Sequence, residues 1–270
     1  MTDSSIRPLE AWASGDAYER YVGRWSRAAA REFIPWLQIP DASRWLDVGC
    51  GTGALTQAIL QHTTPRAITA IDRSSGFVRH AARAAGNPRV RFVVCDAQRL
   101  CVASRGCDVA VSGLVLNFLP QPAQAVAEMS RAVAAGGTVA LYVWDYAGKM
   151  EFMRHFWDAV AWVDPASAAL DEGLRFPLCR PEPLAQLLKD NRLQAIEVRA
   201  IDVPTRFKDF DDFWLPFLGG QGPAGAYVTS LAEDRRSTLR EELRRRLPIA
   251  ADGSIDLVAR AWAVRGVRAG

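Results

Sequence analysis

The stretch Arg44-Trp45-Leu46-Asp47-Val48-Gly49-Cys50-Gly51-Thr52-Gly53-Ala54-Leu55-Thr56 decides the fold. It reads as an apolar strand, a glycine-rich turn and the start of a helix. Glycines in such a turn adopt backbone angles that other residues avoid and clear Cβ atoms from a ligand's path. The following helix aims its free N–H groups at whatever the turn holds. Gly49-x-Gly51-x-x-Ala54 formally satisfies the dinucleotide fingerprint, with Ala54 in the last position. Asp47 argues for a different ligand. Its carboxylate ends the strand just before the first glycine and would repel a pyrophosphate at close range. A cationic amino group would gain a charge-assisted hydrogen bond there instead. S-adenosylmethionine (SAM) carries such an ammonium, a ribose diol and an adenine, and has no phosphate.

The segments that follow suit the same ligand. Ala67-Ile68-Thr69-Ala70-Ile71-Asp72 is an apolar strand ending in an acid about 20 residues past the glycines, where an acid can accept ribose hydroxyls. Val90-Arg91-Phe92-Val93-Val94-Cys95-Asp96-Ala97 is a third strand ending in an acid. Asp96 can accept from an adenine amino group, and the Ala97 N–H can serve a ring nitrogen. A fourth strand, Asp108-Val109-Ala110-Val111-Ser112, ends near Gly113. Each candidate lies at the carboxyl end of a strand, where open α/β sheets bind ligands.

LDVGCGTGALT, AIDRSSGF, VVCDA and CDVAVSGLVLNFLP, followed by GGTVALYVW, resemble the ordered motifs of class I SAM-dependent methyltransferases. The likeness is to the small-molecule type 11, or UbiE-like, group, and it covers roughly residues 15–145. It implies an α/β fold: a Rossmann-like, seven-stranded sheet with helices on both faces, capped by helices from the N-terminus and from late insertions. It also implies SAM as cofactor and S-adenosylhomocysteine (SAH) as product. On the matching motifs, the cofactor would be held by Asp47, Gly49, Cys50, Gly51, Thr52, Gly53, Asp72, Arg73, Ser74, Phe77, Asp96, Ala97 and Ser112. Similar enzymes fold an N-terminal Tyr-acid pair over the cofactor. Tyr18-Glu19 matches that pair, with Tyr21, Arg24 and Trp25 extending it. Arg24 would meet the SAM carboxylate. The bland reading of Tyr18, Tyr21, Trp25, Ala29 and Phe33 is a helical stripe facing a core.

Composition narrows the class. The chain has 270 residues, 49% of them hydrophobic, enough for one large α/β domain with elaborations. No run is long enough for a membrane span, and the N-terminus lacks the apolar stretch of a signal peptide, so a cytoplasmic location is expected. The five cysteines form no C-x-x-C pair, and only three histidines accompany them, so neither zinc nor a disulfide framework is expected. Cys50 reads as a small packing residue rather than a nucleophile. Net charge is +3, and the basic run of residues 235–246 is interleaved with acids, the pattern of a solvated helix rather than a nucleic-acid surface. A small-molecule partner is expected, with the protein a monomer or homodimer.

Strands and helices alternate through residues 44–144, which predicts a parallel sheet with right-handed crossovers. A helix is expected over 122–134, and the fifth strand over 137–144. Past Trp144 the chain becomes rich in aromatics. The domain reading is an N-terminal cap over 1–40 and a SAM-binding core over 41–145. Cap or substrate insertions follow over 146–180 and 205–250, with a closing helix and antiparallel strands over 181–204 and 251–270. One charged helix is expected near 226–247.

Methyl transfer is an in-line displacement, so the protein's main task is to place the acceptor. A base is needed only if the nucleophile arrives protonated. Many relatives read Leu-His-His after the fourth strand, whereas this chain reads Leu116-Asn117-Phe118. Asn117 is a candidate to hydrogen-bond a substrate, and His155 is the remaining candidate base. His155, Trp214 and Phe217 are expected to line the substrate pocket, which would take a small, hydrophobic or aromatic acceptor. The alternative is a SAM-binding protein with a non-methylating catalytic or binding role.

Overall fold

The computed structural model describes residues 23–270. Tyr18, Glu19 and Tyr21 lie outside the described residues. The chain divides into two compact units. The sheet unit comprises Trp25–Asp145, Phe176–Val203 and Arg260–Gly270. The aromatic unit comprises Tyr146–Arg175 and Pro204–Ala259, together with Arg24.

The sheet runs through β1 (Arg44–Val48), β2 (Ala67–Asp72), β3 (Val90–Val94), β4 (Cys107–Gly113), β5 (Val133–Trp144), β6 (Leu193–Phe207) and β7 (Ile255–Arg268). Its seven strands lie in the order β3-β2-β1-β4-β5-β7-β6. β1 pairs in parallel with β2 and β4, and β5 pairs antiparallel with β7. The reversal of order falls between β1 and β4, the switch point at which such sheets open a crevice at their strand ends. The central strands are apolar along their length, as expected for a sheet covered on both faces. Val48, Val109, Val111, Val139 and Leu141 are fully buried.

α1 (Arg24–Leu37) precedes β1, and α2 (Ala54–His62) and α3 (Ser75–Ala85) connect the first three strands. α1 buries Ala29, Ala30, Phe33, Ile34 and Leu37, a stripe at helical spacing. Phe33 packs against Tyr142 of β5 with ring centroids 4.7 Å apart. The guanidinium of Arg265 on β7 donates to the Trp36 and Leu37 carbonyls at 3.1 and 3.0 Å, satisfying acceptors that the end of α1 leaves open. α4 (Pro122–Ala132) precedes β5.

The structure corrects two boundaries. The helix expected over 122–134 ends at Ala132, and β5 begins at Val133. Cys107 pairs with Val133 while Val109 pairs with Thr138, so β5 carries an irregularity around its glycine pair. A Cβ on Gly137 would lie 2.4 Å from the Asp108 carbonyl oxygen, so only glycine lets the strands close there.

α5 (Glu151–Val163), the short α6 (Glu172–Arg175), α7 (Pro181–Asp190) and α8 (Phe210–Trp214) follow. The charged helix expected near 226–247 is two helices, α9 (Gly222–Ser230) and α10 (Glu233–Arg246). Arg236 supplies the reason: its guanidinium donates to the Val228 and Leu231 carbonyls at 3.3 and 2.8 Å and so caps the end of α9. α9 is mostly buried, whereas α10 buries only Leu239 and Leu243.

The aromatic unit has a ring-lined core. Phe156 stacks on Phe217 at 4.6 Å, and Phe213 and Trp214 lie 5.6 and 6.3 Å from Phe217. The indole N–H of Trp157 donates to the buried Glu172 carboxylate, whose pKa burial pushes up to about 8.

Phe33→Ala should destabilise the protein by about 3–5 kcal/mol, the usual effect of deleting a fully buried aromatic ring. Trp36→Ala, at a half-buried position of the same helix, should cost clearly less. Urea unfolding measures both, and equal losses would contradict the packing described for α1.

Candidate functional site

The site is built at the carboxyl ends of β1, β2, β3 and β4, all within the sheet unit. Asp47 is fully buried near the end of β1. The Thr56 hydroxyl on α2 donates to its Oδ2 at 2.5 Å. Oδ1 is also buried and has no hydrogen-bond partner among the described residues. Burial pushes this carboxyl up to about 7; the Thr56 hydrogen bond opposes the shift, and the nearby Asp72 charge adds to it.

The glycine turn is anchored to β2. The Gly49 and Cys50 N–H groups both donate to the Ile71 carbonyl at 2.8 Å, and the Gly53 N–H donates to the Cys50 carbonyl at 2.8 Å. Gly49 has φ +77°, and a Cβ there would lie 2.5 Å from a Val115 methyl. A side chain at position 49 would therefore drive apart the turn and the segment after β4. Thr52 is buried. Burial and the Asp47 charge push the Cys50 thiol far above its ordinary range, which suits packing and not nucleophilic attack.

Asp72 holds the turn from the end of β2. Its two carboxylate oxygens accept the Gly51 N–H at 3.0 Å and the Ser74 N–H at 2.7 Å. Burial raises its pKa, and those backbone hydrogen bonds oppose the rise. A carboxylate oxygen that accepts one hydrogen bond keeps capacity for another. Ser74 caps α3, its hydroxyl accepting the Phe77 N–H at 3.3 Å. Arg73 is exposed and Phe77 half-buried. Past β3, Asp96 is exposed and accepts the Gln98 N–H at 2.8 Å, while Ala97 is buried. The Ser112 hydroxyl donates to the Val48 carbonyl at 2.8 Å and ties β4 to β1. Asn117 sits in the turn Leu116–Phe118 after β4, and its side-chain nitrogen is buried with no partner among the described residues.

Trp25 is half-buried in the sheet unit. Arg24, His155, Trp214 and Phe217 belong to the aromatic unit. The carboxylate facing Arg24 is that of Asp212, at 3.0 and 3.1 Å, and the guanidinium also lies over the Phe207 ring. His155 is half-buried; burial lowers its pKa, against the charges of Asp158 and Glu151. Trp214 and Phe217 are 3% and 1% exposed within the ring core.

Two members of the site escape a reading of the strand ends. Thr56 lies inside the quoted stretch, and its signal is a hydroxyl on the first turn of α2 beside an otherwise unpaired acid. Leu114 adopts φ +62°, which lets Val115 close on Gly49, and nothing in its residue type signals this. Among the described residues no cluster of three or more potential metal ligands occurs, and no helix is long and apolar enough to cross a membrane.

Residues 46–141 match the family model described as a methyltransferase domain. The trans-aconitate 2-methyltransferase of Variovorax paradoxus is 25% identical over 156 residues, covering 56% of this chain and 58% of that protein. The malonyl-[acyl-carrier protein] O-methyltransferase of Hahella chejuensis is 33% identical over 92 residues, covering 34% of this chain and 33% of that protein. The matches therefore span less than two thirds of either relative. Among solved structures, Haemonchus contortus phosphoethanolamine N-methyltransferase 2, in complex with phosphomonomethylethanolamine and SAH, shares the fold. The TM-score is 0.56 at 16% identity, over 95% of this chain and 57% of that one. Strand order, the glycine turn and these matches agree: residues 46–141 carry a methyltransferase domain, on a fold that the chain shares with solved methyltransferase structures.

Proposed function

We propose that this chain binds SAM at the β1–β4 strand ends and transfers its methyl group to a small, hydrophobic or aromatic acceptor. The observation that carries the reading is the buried Oδ1 of Asp47, which lacks a partner beneath a turn that excludes side chains. A buried, half-satisfied carboxylate is costly unless a donor completes it. An ammonium group is the donor that best offsets that cost.

When bound, SAM supplies an electrophilic methyl group on a sulfonium sulfur. The protein's own residues do the rest. Asp47 receives the amino group, the turn from Gly49 to Gly53 gives close backbone approach, and Asp72 offers its remaining acceptor capacity to the ribose hydroxyls. Asp96 and Ala97 would hold the adenine. Arg73, Ser74 and Phe77 shape the start of α3 beside it, with Cys50, Thr52 and Ser112 packing the floor. The unpaired amide nitrogen of Asn117 is a donor suited to an acceptor's oxygen. Burial lowers the His155 pKa and so favours the neutral form, the one that accepts a proton. The aromatic content of residues 146–175 and 204–259 supports a hydrophobic or aromatic acceptor. The two relatives, a trans-aconitate 2-methyltransferase and a malonyl-[acyl-carrier protein] O-methyltransferase, support a small acceptor group.

The test is an acceptor panel that includes trans-aconitate, scored for SAH and for methylated acceptor together. Methylated product supports transfer. Acceptor consumed without SAH would instead support the non-methylating role, for which the absence of a histidine at Leu116-Asn117-Phe118 is the motivating feature.

Affinity for SAH should rise with pH across neutrality. Asp47 must be ionised to receive the ammonium group, and in the free protein its carboxyl titrates at about 7. Below that, binding must expel a proton, so affinity should fall by up to about tenfold per pH unit. The effect on the free protein has the opposite sign. Because the folded pKa lies above the ordinary carboxylate value, the stability that Asp47 contributes is full at low pH and is lost as pH rises through about 7. Asp47→Asn should flatten the SAH profile and weaken binding at pH 8 by roughly ten- to a hundredfold, the worth of a charged hydrogen bond. Calorimetry from pH 5.5 to 8.5 checks this, and an unchanged slope in the variant would remove Asp47 from amino-group recognition.

Asp72→Ala should weaken SAH binding by roughly ten- to a hundredfold by the same measure. It also frees the Gly51 and Ser74 N–H groups, so circular dichroism must first show that the variant is folded. A folded variant with wild-type affinity would contradict the ribose role.

A further inference from the structure

We propose that Cys95 and Cys101 form an oxidation site, a preorganised dithiol that closes to a disulfide across the turn of residues 96–100. Both are free thiols in the sheet unit; Cys95 is buried and Cys101 exposed. The Cys95 sulfur accepts the Cys101 N–H at 2.9 Å, and the two thiols also interact side chain to side chain. Given the N–Cα bond length, the Cys101 Cα lies within about 4.4 Å of the Cys95 sulfur. A sulfur and the far Cα stand roughly that far apart across a disulfide, so the pair is within bridging reach.

The backbone on both sides is clamped. The Cys95 N–H donates to the Asp72 carbonyl at 3.0 Å. On the other side, the Leu100 N–H donates to the Glu128 carboxylate at 2.8 Å, and the Arg131 guanidinium donates to the Leu100 and Val102 carbonyls at 3.1 and 3.0 Å. Glu128 and Arg131 are themselves paired on α4 at 2.8 Å. The turn between the cysteines is closed by the Arg99 N–H donating to the Asp96 carbonyl at 3.1 Å. Once one of two thiols held this way carries a mixed disulfide, its neighbour displaces the adduct in preference to a second external thiol, because the encounter is already made.

The chemistry divides between the two residues. Exposed Cys101 is the point of entry. Its thiolate attacks a small-molecule disulfide, forming a mixed disulfide and releasing one thiolate. Cys95 then loses its proton to solvent and attacks the Cys101 sulfur, expelling the second thiolate. Two protein thiols are oxidised, one external disulfide is reduced to two thiols, and no other reactant is needed. Burial, reinforced by the neighbouring Cys101 thiol, pushes the Cys95 thiol up to about 11, which suits Cys95 to the second, resolving step rather than to the point of entry. A disulfide whose Cys101 sulfur is exposed is open to attack by an external thiol and so to reduction.

The test treats the reduced, native, full chain with excess glutathione disulfide, followed by an acid quench and mass spectrometry. It reads sulfur chemistry alone and is independent of the cofactor reading above. The expected product has lost two thiols, about 2 Da, and retains no glutathione. Trypsin cuts at Arg99, between the two cysteines, so Phe92–Arg99 should be recovered joined to Leu100–Arg105 until dithiothreitol separates them. Cys101→Ser, a change at an exposed position, should yield no such cross-link and no adduct on Cys95. A stable glutathione adduct on Cys101 with Cys95 still free would overturn the proposal. So would survival of both thiols in the native protein alongside ready reaction in urea.

Discussion

A carboxylate buried at the end of the central strand is the constraint around which this site is organised. Asp47 is sealed from water, bonded through one oxygen to Thr56 and unbonded through the other. A protein does not keep such a group without reason, since an unpaired buried acceptor costs about 1–3 kcal/mol, and more when charged. Here the remedy in the free chain is protonation near neutral pH, and the remedy in a complex is a cationic donor. On the proposed function, the same group sets the choice of ligand and makes binding sensitive to pH.

Everything near Asp47 serves to hold it in place. β1 is the innermost strand of the parallel half, flanked by β2 and β4, so its end cannot drift. The turn is fixed by two N–H groups on one carbonyl of β2, and it is closed from the other side by Val115 against Gly49. Asp72 braces the turn through Gly51 while keeping further acceptor capacity. These are main-chain and buried interactions, the kind that preorganise a site before a ligand arrives.

The fold was legible because β1 to β4 each announce themselves as an apolar run with an acid or a small polar residue at or just past its end. Asp47, Asp72, Asp96 and Ser112 thus mark the strand ends in the sequence itself. The helix stripe through Ala29 and Phe33 was legible for the same periodic reason, and it packs on Tyr142. The early start of β5 and the break between α9 and α10 were not legible. The first depends on a backbone approach at Gly137, and the second on a cap that Arg236 delivers across a chain reversal. Residue types do not encode such contacts until the chain is folded. Asn117 illustrates the middle ground. Its departure from a histidine was visible, but its unpaired amide nitrogen was not. The carboxylate partner of Arg24 was equally invisible, because Asp212 lies 188 residues away. The closeness of Cys95 to Cys101 depends on the turn that Arg131 and Glu128 hold, and neither residue adjoins it in sequence.

The central claim is that Asp47 turns a glycine-rich turn of dinucleotide type into a site for an adenosyl ligand with an amino group. Calorimetric titration of the same protein with SAH and with NAD at one pH tests it most directly. The account predicts saturable, one-to-one binding of SAH and no heat of binding from NAD. Tight NAD binding with none of SAH would contradict it.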